Sequence, residues 1–445
     1  MSHRYFPHTA GDIEQMLGRC GARNVDELFA DIPEELRLRE PYKLPKALSE
    51  DEVRAYFDAL CAENKQLVCF AGAGWYDHYT PSVVTDLARR SEFLTSYTPY
   101  QPEISQGTLQ YIFEYQSMMA SLTGLEVSNA SLYDGATAVA EAMMMCVAAG
   151  RRKNTVLISS TVNPRHMAVA RTYARYHGIK LVEVPEHDGV TDLDSMKSML
   201  GANTAGFIAA SPNCHGIVED FSGVAEAVHG VRALFAIDTN ASALGVLRSP
   251  GEWGADIAVG EAQSLGLPMN YGGPGLGYMC TTRALMRKMP GRIVGATTDA
   301  DGQRVFVLTL QAREQHIRRE KATSNICSNQ GLMTLCAAIY LSVMGAEGLR
   351  EVCTRSHDAA SALLKRLVAE GLATPVWPGK PFIDEFEVRL NGFSADSAIE
   401  EGARLGILPG VKTADDRLLI AVTERRSPAD LDKLVSLFKH LASHE

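Results

Sequence analysis

Three groups of residues between positions 238 and 277 have the types and spacing needed for chemistry. The first, Asp238-Thr239-Asn240, follows the apolar run Leu234–Ile237 directly. The second is Glu261-Ala262-Gln263-Ser264-Leu265, and the third is the glycine-rich turn Gly272–Gly277. Polar side chains at the end of an apolar strand, followed by a turn that allows close backbone approach, are typical of a ligand site.

This layout resembles the cofactor floor of aspartate-aminotransferase-like enzymes that use pyridoxal phosphate (PLP). The resemblance implies that Asp238 meets the pyridine nitrogen and that a lysine before the glycine-rich turn carries the cofactor as a Schiff base. That lysine is missing, because the sequence has no lysine between Lys197 and Lys288. The corresponding residue is Gln263 or Ser264, and neither has the primary amine that an imine requires.

The elements that must position these residues alternate between short apolar strands and helices. Strands are predicted at 156–158, 180–184, 205–210 and 234–237, and helices at 165–176, 192–200 and 221–230. Strands joined by helices need right-handed crossovers and form a mostly parallel sheet that is covered on both faces. We therefore predict an α/β fold with a ligand site at the carboxyl ends of the strands. Polar residues that fall there are Asn163, Asn213, His215 and Asp238.

Three regions are predicted along the chain. Residues 1–65 have the pattern of short amphipathic helices divided by prolines, which favours an N-terminal helical arm. Such an arm packs either on a partner subunit or on its own large domain. Residues 66–330 are predicted to form the large α/β domain, and residues 331–445 a smaller α+β domain that begins with an apolar helix.

Composition excludes several classes of function. The net charge of -10 argues against nucleic acid and anionic membrane as partners. The nine cysteines are scattered, without a CxxC or a Cys/His cluster at metal-ligand spacing, which argues against a metal and favours a reducing compartment. The first residues lack the apolar core of a signal peptide, and no run approaches membrane-spanning length. We expect a cytoplasmic protein.

Two polar motifs carry a more specific resemblance. They are Tyr97-Thr98-Pro99-Tyr100-Gln101-Pro102-Glu103-Ile104-Ser105-Gln106-Gly107 and Gln315-His316-Ile317-Arg318-Arg319-Glu320-Lys321-Ala322-Thr323-Ser324-Asn325. With Asp238 and the glycine-rich turn, they resemble the P protein of the glycine cleavage system, glycine decarboxylase. The similarity is to the amino-terminal-half type, subunit 1 of the form divided between two chains, and covers nearly the whole sequence. It implies the PLP-dependent transferase fold, fold type I.

This resemblance also implies a partner and a reaction. A second subunit, a homologue with the Schiff-base lysine, is expected to carry PLP, and the heterodimeric complex is expected to decarboxylate glycine. The aminomethyl group then passes to the lipoyl arm of the H protein, and the T and L proteins act in the same system. The second subunit also stacks a histidine on the cofactor ring, whereas the matching strand end here reads Ser159-Ser160-Thr161, without a histidine.

Active sites of this fold lie between paired subunits, so this chain can contribute loops to its partner's pocket. We predict that Tyr97, Tyr100, Gln101 and Glu103 belong to that shared pocket, with His316 as a further candidate beside Arg318. Asp238 is interpreted as a relic or a structural hydrogen-bonding group. The helix that begins near Gly135 could accept an anion at its amino end, but its small residues also suit close packing.

Two other functions are compatible with the sequence. An independent PLP enzyme, an aminotransferase or lyase, could use a displaced lysine, although Lys180, Lys197 and Lys288 do not follow a strand at suitable spacing after Asp238. A structural or regulatory protein could use the old pocket as a binding surface. The segment 97–107 could also be a rigid surface turn fixed by its prolines. The sequence does not distinguish a heterodimer from a pair of heterodimers.

Overall fold

The computed structural model describes residues 5, 7–38, 40–150, 152–311 and 315–443. The chain forms two compact units, Met1–Lys65 and Gln66–Glu445. Its α-helices are α1 (Ala10–Cys20), α2 (Glu50–Ala62), α3 (Ser82–Ala88), α4 (Ser91–Leu94), α5 (Gln106–Thr123), α6 (Gly135–Ala149), α7 (Pro164–His177), α8 (Leu193–Met199), α9 (Val224–Gly230), α10 (Gln315–Arg318), α11 (Gly331–Ala369), α12 (Ala395–Arg404) and α13 (Pro428–Ala442).

The strands are β1 (Val68–Cys69), β2 (Val127–Ser128), β3 (Thr155–Ser159), β4 (Lys180–Val184), β5 (Glu186–His187), β6 (Val190–Thr191), β7 (Thr204–Ala210), β8 (Leu234–Asp238), β9 (Ile257–Glu261), β10 (Gly277–Thr281), β11 (Ile293–Thr298), β12 (Arg304–Thr309), β13 (Ala373–Pro375), β14 (Glu385–Leu390), β15 (Ile407–Leu408), β16 (Val411–Ala414) and β17 (Arg417–Ala421). Short 3-10 helices occupy several of the connections, among them Pro102–Ile104 and Ala241–Gly245.

The first unit contains the predicted arm helices. Thr9 caps α1 and Ser49 caps α2, each in a capping box with an acid three residues later. None of the described residues of this unit is buried. Its helices therefore have amphipathic faces without a core of their own.

The centre of the second unit is a seven-stranded sheet in the order β2-β10-β9-β8-β7-β3-β4. Strands β4, β3, β7, β8 and β9 run parallel. At one edge of the sheet, β10 is antiparallel to both of its neighbours, β9 and β2. Every residue of β7 is buried, because α6 and α7 pack on one face of the sheet, and Phe221 with residues of α8 and α9 packs on the other. This confirms the predicted α/β fold with a mostly parallel sheet.

A second sheet, in the order β13-β14-β17-β16, is entirely antiparallel and packs against α12, α13 and the end of α11. The short strand β1 pairs with β15 rather than with the seven-stranded sheet. Phe70, directly after β1, is buried in the same core as Val388 and Phe438. The segment that follows the arm therefore contributes to the core of the C-terminal region.

The expectation that no apolar run approaches membrane-spanning length was wrong for α11, which is long and apolar enough to cross a membrane by length and composition alone. It bends at Gly345, whose φ of 61° and ψ of -173° are not helical. Leu335 and Tyr340 before the bend, and Leu363 and Leu367 after it, are buried in two hydrophobic clusters of the second unit. The apolar composition of α11 is thus explained by packing within the fold.

Candidate functional site

A cavity of about 70 Å³ lies at the carboxyl ends of β7 and β8, as the sheet topology predicts. Asp238, the last residue of β8, lines it together with Asn213, whereas His215 does not. Two acids that arrive from other elements also line it, Glu261 at the end of β9 and Glu385 at the start of β14. The cavity is therefore rich in carboxyl groups. We call it the Asp238 pocket.

The carboxylate of Asp238 is already paired within the chain. Its Oδ2 lies 2.7 Å from Nδ1 of His166, and both side chains are largely buried. Burial lowers the pKa of His166, but the charge of Asp238 and the hydrogen bond to it outweigh burial, so the pKa is raised overall. Oδ2 of Asp238 is therefore already engaged by the imidazole of His166.

The pocket nevertheless contains a histidine, which comes from beyond this strand end. Residues 159–161 indeed contain none, but α7 begins at Pro164 and its first turn brings His166 to Asp238. Asn163 caps that helix by accepting a hydrogen bond from the backbone N–H of Arg165 at 2.9 Å. The signal that could have identified His166 was its place in the first helical turn after a strand whose end faces the site.

Glu261 occupies the amino end of α6. Its carboxylate accepts hydrogen bonds from the backbone N–H groups of Gly135 at 3.0 Å, Gln263 at 2.9 Å and Leu276 at 2.7 Å. Burial raises the pKa of Glu261, and these N–H donors offset only part of that effect. Because Asp134 also accepts from Thr137 at 2.7 Å, this helix end already holds two carboxyl groups. An anionic ligand would meet like charge there.

Gln263 and Ser264, the residues at the position of the missing lysine, hold the fold together through hydrogen bonds. Gln263 is buried, accepts from the N–H of Tyr76 at 3.0 Å, and donates to the carbonyl oxygens of Tyr76 and Leu267 at 3.1 and 2.7 Å. Ser264 is buried and donates to Asn240 at 2.6 Å. Neither side chain lines the Asp238 pocket. Both positions are committed to hydrogen bonds within the chain.

These residues do not fit Schiff-base-bound PLP. No lysine is among the residues that line the Asp238 pocket, and Lys180, Lys197 and Lys288 are exposed elsewhere. Asp238 is engaged by His166, and the end of α6 is filled by Glu261. The chain keeps the framework of a cofactor site without the groups that would anchor the cofactor.

The two predicted tyrosines lie at or beside a different cavity, of about 200 Å³, that we call the Arg292 cavity. Tyr97 lines it, and Tyr100 lies beside Arg292, with its hydroxyl 3.4 Å from Nη2 and its ring centroid 5.3 Å from the guanidinium carbon. Gln101 and Glu103 are exposed and line neither cavity. The structure thus brings the two tyrosines together with an arginine that the sequence motifs did not indicate.

His316 and Arg318, the further candidates, are exposed on α10. They line neither the Asp238 pocket nor the Arg292 cavity. Their assignment to a shared pocket stays a prediction.

The parallel sheet, the cavity at its carboxyl edge and the small antiparallel sheet define the fold of PLP-dependent enzymes of fold type I. A sphingosine-1-phosphate lyase from Burkholderia pseudomallei is 13% identical with a TM-score of 0.68, over 93% of this chain and 94% of that one. A glutamate decarboxylase from Lactobacillus brevis is 14% identical with a TM-score of 0.67, over 93% of this chain and 98% of that one. These two likenesses concern the fold alone and confirm its predicted class.

Residues 3–438 match the glycine cleavage system P-protein family, and the chain belongs to it. A crystal structure of glycine decarboxylase (P-protein) in inhibitor-bound form is 42% identical with a TM-score of 0.92, over 99% of this chain and 100% of that one. A protein of Moorella thermoacetica named probable glycine dehydrogenase (decarboxylating) subunit 1 is 48% identical over 443 residues, 98% of this chain and 99% of its own length. The family predicted from the sequence motifs is confirmed.

Proposed function

We propose that this chain is subunit 1 of a two-chain glycine dehydrogenase (decarboxylating), and that PLP is held by a lysine of the second subunit. The observation that carries this proposal is the Asp238 pocket, whose lining contains no lysine. In that pocket, His166 pairs with Asp238, and Glu261 accepts a hydrogen bond from Gly135 at the amino end of α6. The chain therefore acts as the non-anchoring member of a pair of homologous subunits.

The contribution of this chain to catalysis is a set of positioning groups for its partner's pocket. The side chains of Tyr97 and Tyr100 are 82% and 58% exposed, so they are free to meet a second chain. Gln101 and Glu103 lie on the same exposed segment. We assign these four residues to the shared active site, where glycine is decarboxylated before the aminomethyl group passes to the lipoyl arm of the H protein.

The proposed setting is the cytoplasm, with the T and L proteins as the other components of the system. The exposed apolar residues of the N-terminal arm, among them Phe29 and Phe57, support a large subunit contact. The free cysteines support a reducing compartment, because none of the cysteines in the described part of the chain forms a disulfide.

The test is to purify the chain alone and with a homologous chain that carries the lysine. We expect the chain alone to lack the visible absorbance of a Schiff base and to release no carbon dioxide from carboxyl-labelled glycine. The reconstituted pair should gain both properties. Visible absorbance from this chain alone, lost when borohydride fixes PLP to one of its lysines, would favour an independent PLP enzyme instead.

A second experiment separates a shared active site from a scaffold. We expect Tyr97→Phe and Glu103→Gln to lower turnover of the reconstituted pair by roughly 10-fold or more, with the amount of complex unchanged on gel filtration. Tyr176→Phe, on the exposed face of α7, is the matched control. Turnover that is unchanged in both loop variants would contradict a catalytic contribution and favour a structural subunit.

A further inference from the structure

Arg292 is a buried cation that has no anionic partner among the described residues. Only 4% of the residue is exposed, and no carboxylate in the described part of the chain forms an ion pair with it. Its neighbours are instead the neutral side chains of Asn329 and Tyr100. A buried guanidinium that lacks a counter-ion is costly, so the position calls for an anion supplied from outside this chain.

The hydrogen bonds of Arg292 leave part of its donor capacity unused. Nη1 donates to Oδ1 of Asn329 at 3.2 Å, and Nη2 has only the long contact of 3.4 Å to the hydroxyl of Tyr100. Nε is buried and has no hydrogen-bond partner. Asn329 is fixed in turn, because its amide donates to the carbonyl oxygen of Ala130 at 2.9 Å. The guanidinium is therefore held in place while its remaining N–H groups are available.

These groups line a cavity large enough for a small molecule. The Arg292 cavity measures about 200 Å³, and it is lined by the polar residues Ser96, Thr98 and Thr108 and by the apolar residues Phe93 and Leu332. A planar guanidinium fork with free N–H groups matches a planar carboxylate. We propose that the Arg292 cavity binds a small carboxylate, with Arg292 as its charge partner.

The charge of the site favours a carboxylate over a phosphate. One guanidinium balances the single negative charge of a carboxylate, whereas a phosphate monoester carries about -1.5 to -2 at neutral pH. Among the described residues, Arg292 is the only cationic side chain that lines this cavity. A doubly charged ligand would therefore leave uncompensated charge in a buried place.

This inference deepens the proposed function, since Tyr97 of the proposed shared pocket lines the same cavity and Tyr100 contacts Arg292. It does not depend on turnover, because it concerns binding by residues of this chain. Carboxylate binding in a pair that fails to decarboxylate glycine would count against the proposed function alone. Turnover in a pair without carboxylate binding at Arg292 would count against this inference alone.

The experiment uses acetate as the probe, because acetate has no amine and cannot form an imine with PLP. Saturation-transfer NMR of the acetate methyl group is recorded with the full chain and with the reconstituted pair at constant ionic strength. We expect a saturable signal in both samples. Arg292→Gln should weaken apparent affinity by roughly 10-fold or more, because the charge-assisted hydrogen bonds are lost.

Two further variants keep the result interpretable. Arg292→Lys keeps the charge but lacks the planar fork, so an intermediate loss is expected even if the glutamine variant folds poorly. Arg304→Gln removes an exposed guanidinium that also stacks on an aromatic ring, 5.1 Å from the centroid of Phe306, and should leave acetate binding unchanged.

Three outcomes would overturn the assignment. The first is an acetate signal that persists unchanged in both Arg292 variants. The second is competition by inorganic phosphate at far lower concentration than glycine or acetate, which would identify a phosphate site. The third is a signal from the chain alone that disappears in the reconstituted pair, because Arg292 would then pair with the second subunit rather than with a small carboxylate.

Discussion

At the scale of single residues, Glu141 is a carboxyl group placed inside the apolar helix α6. Only 1% of the residue is exposed, and its Oε1 has no hydrogen-bond partner. Burial raises the pKa of Glu141 to about 8, and a hydrogen bond with Ser324 offsets only part of that shift. The group is therefore predominantly neutral at pH 7, where an ordinary glutamate is ionised.

The first prediction concerns the pH dependence of stability. The pKa of Glu141 is about 8 in the folded chain and close to the ordinary 4.5 when unfolded, so folding binds a proton between these values. The free energy of unfolding should then fall as pH rises from 4.5 to 8 and level off above 8. The amide in Glu141→Gln does not titrate. The free energy of unfolding of this variant, relative to the wild type, should therefore rise by on the order of a few kcal/mol from pH 5 to pH 8.5.

Urea unfolding at several pH values measures this effect. Glu226→Gln, an exposed substitution on α9, serves as the control for loss of a surface carboxylate. Parallel pH profiles for wild type and Glu141→Gln would show that Glu141 does not hold its proton on folding.

At the scale of elements, α11 bends at Gly345, and its two ends pack into different hydrophobic clusters. Gly345 has a φ of 61° with a ψ of -173°, a combination that only glycine adopts without strain. A Cβ at this position would meet no described atom within 4 Å. Glycine is therefore required by the backbone conformation and not by crowding around the side chain.

The second prediction follows from this strain. Gly345→Ala should lower the free energy of unfolding by about 1–3 kcal/mol, although the methyl group has room. Gly107→Ala, in the first turn of α5 with no atom near its Cβ, should be neutral or slightly stabilising. Chemical denaturation of both variants provides the measurement. Equal stability of the Gly345→Ala chain and the wild type would mean that α11 tolerates a different bend.

At the scale of the whole molecule, apolar surface is distributed unevenly. The residues of the hydrophobic clusters belong to Gln66–Glu445, whereas none of the described residues before residue 66 is buried. On α2, Tyr56 and Phe57 are 58% and 56% exposed and their ring centroids lie 5.5 Å apart. Helices of this length are marginal in water without tertiary packing, so the arm needs an apolar surface to cover it.

The third prediction is that this surface belongs to the second subunit. The double variant Tyr56→Ser and Phe57→Ser should weaken association with the lysine-bearing chain by roughly 10-fold or more, because buried aromatic side chains dominate interface energies. Tyr176→Ser, 77% exposed on α7, is the control. Affinity is measured by calorimetric titration of the two chains. Unchanged affinity, with the variant's circular dichroism intact, would contradict an arm that packs on the partner.

The sequence determined the fold class and the missing lysine. The alternation of strands and helices from residue 155 is a local pattern, so the parallel sheet could be predicted without any long-range information. The absence of lysine between Lys197 and Lys288 is read directly from the order of residues. The place of Asp238 at a strand end followed from the same local pattern, and the structure keeps it there.

Only the tertiary structure decided what fills the site. His166 reaches Asp238 across 72 positions of sequence, and Glu261 reaches Gly135 across 126. Arg292 meets Tyr100 across 192 positions. Hydrophobic periodicity specifies each element, but the side chains that meet at a sheet edge depend on how separate elements cross over and pack. The sequence could therefore show that no lysine follows Asp238 before the glycine-rich turn, while only the fold showed that His166 pairs with Asp238 and that Glu261 accepts from Gly135.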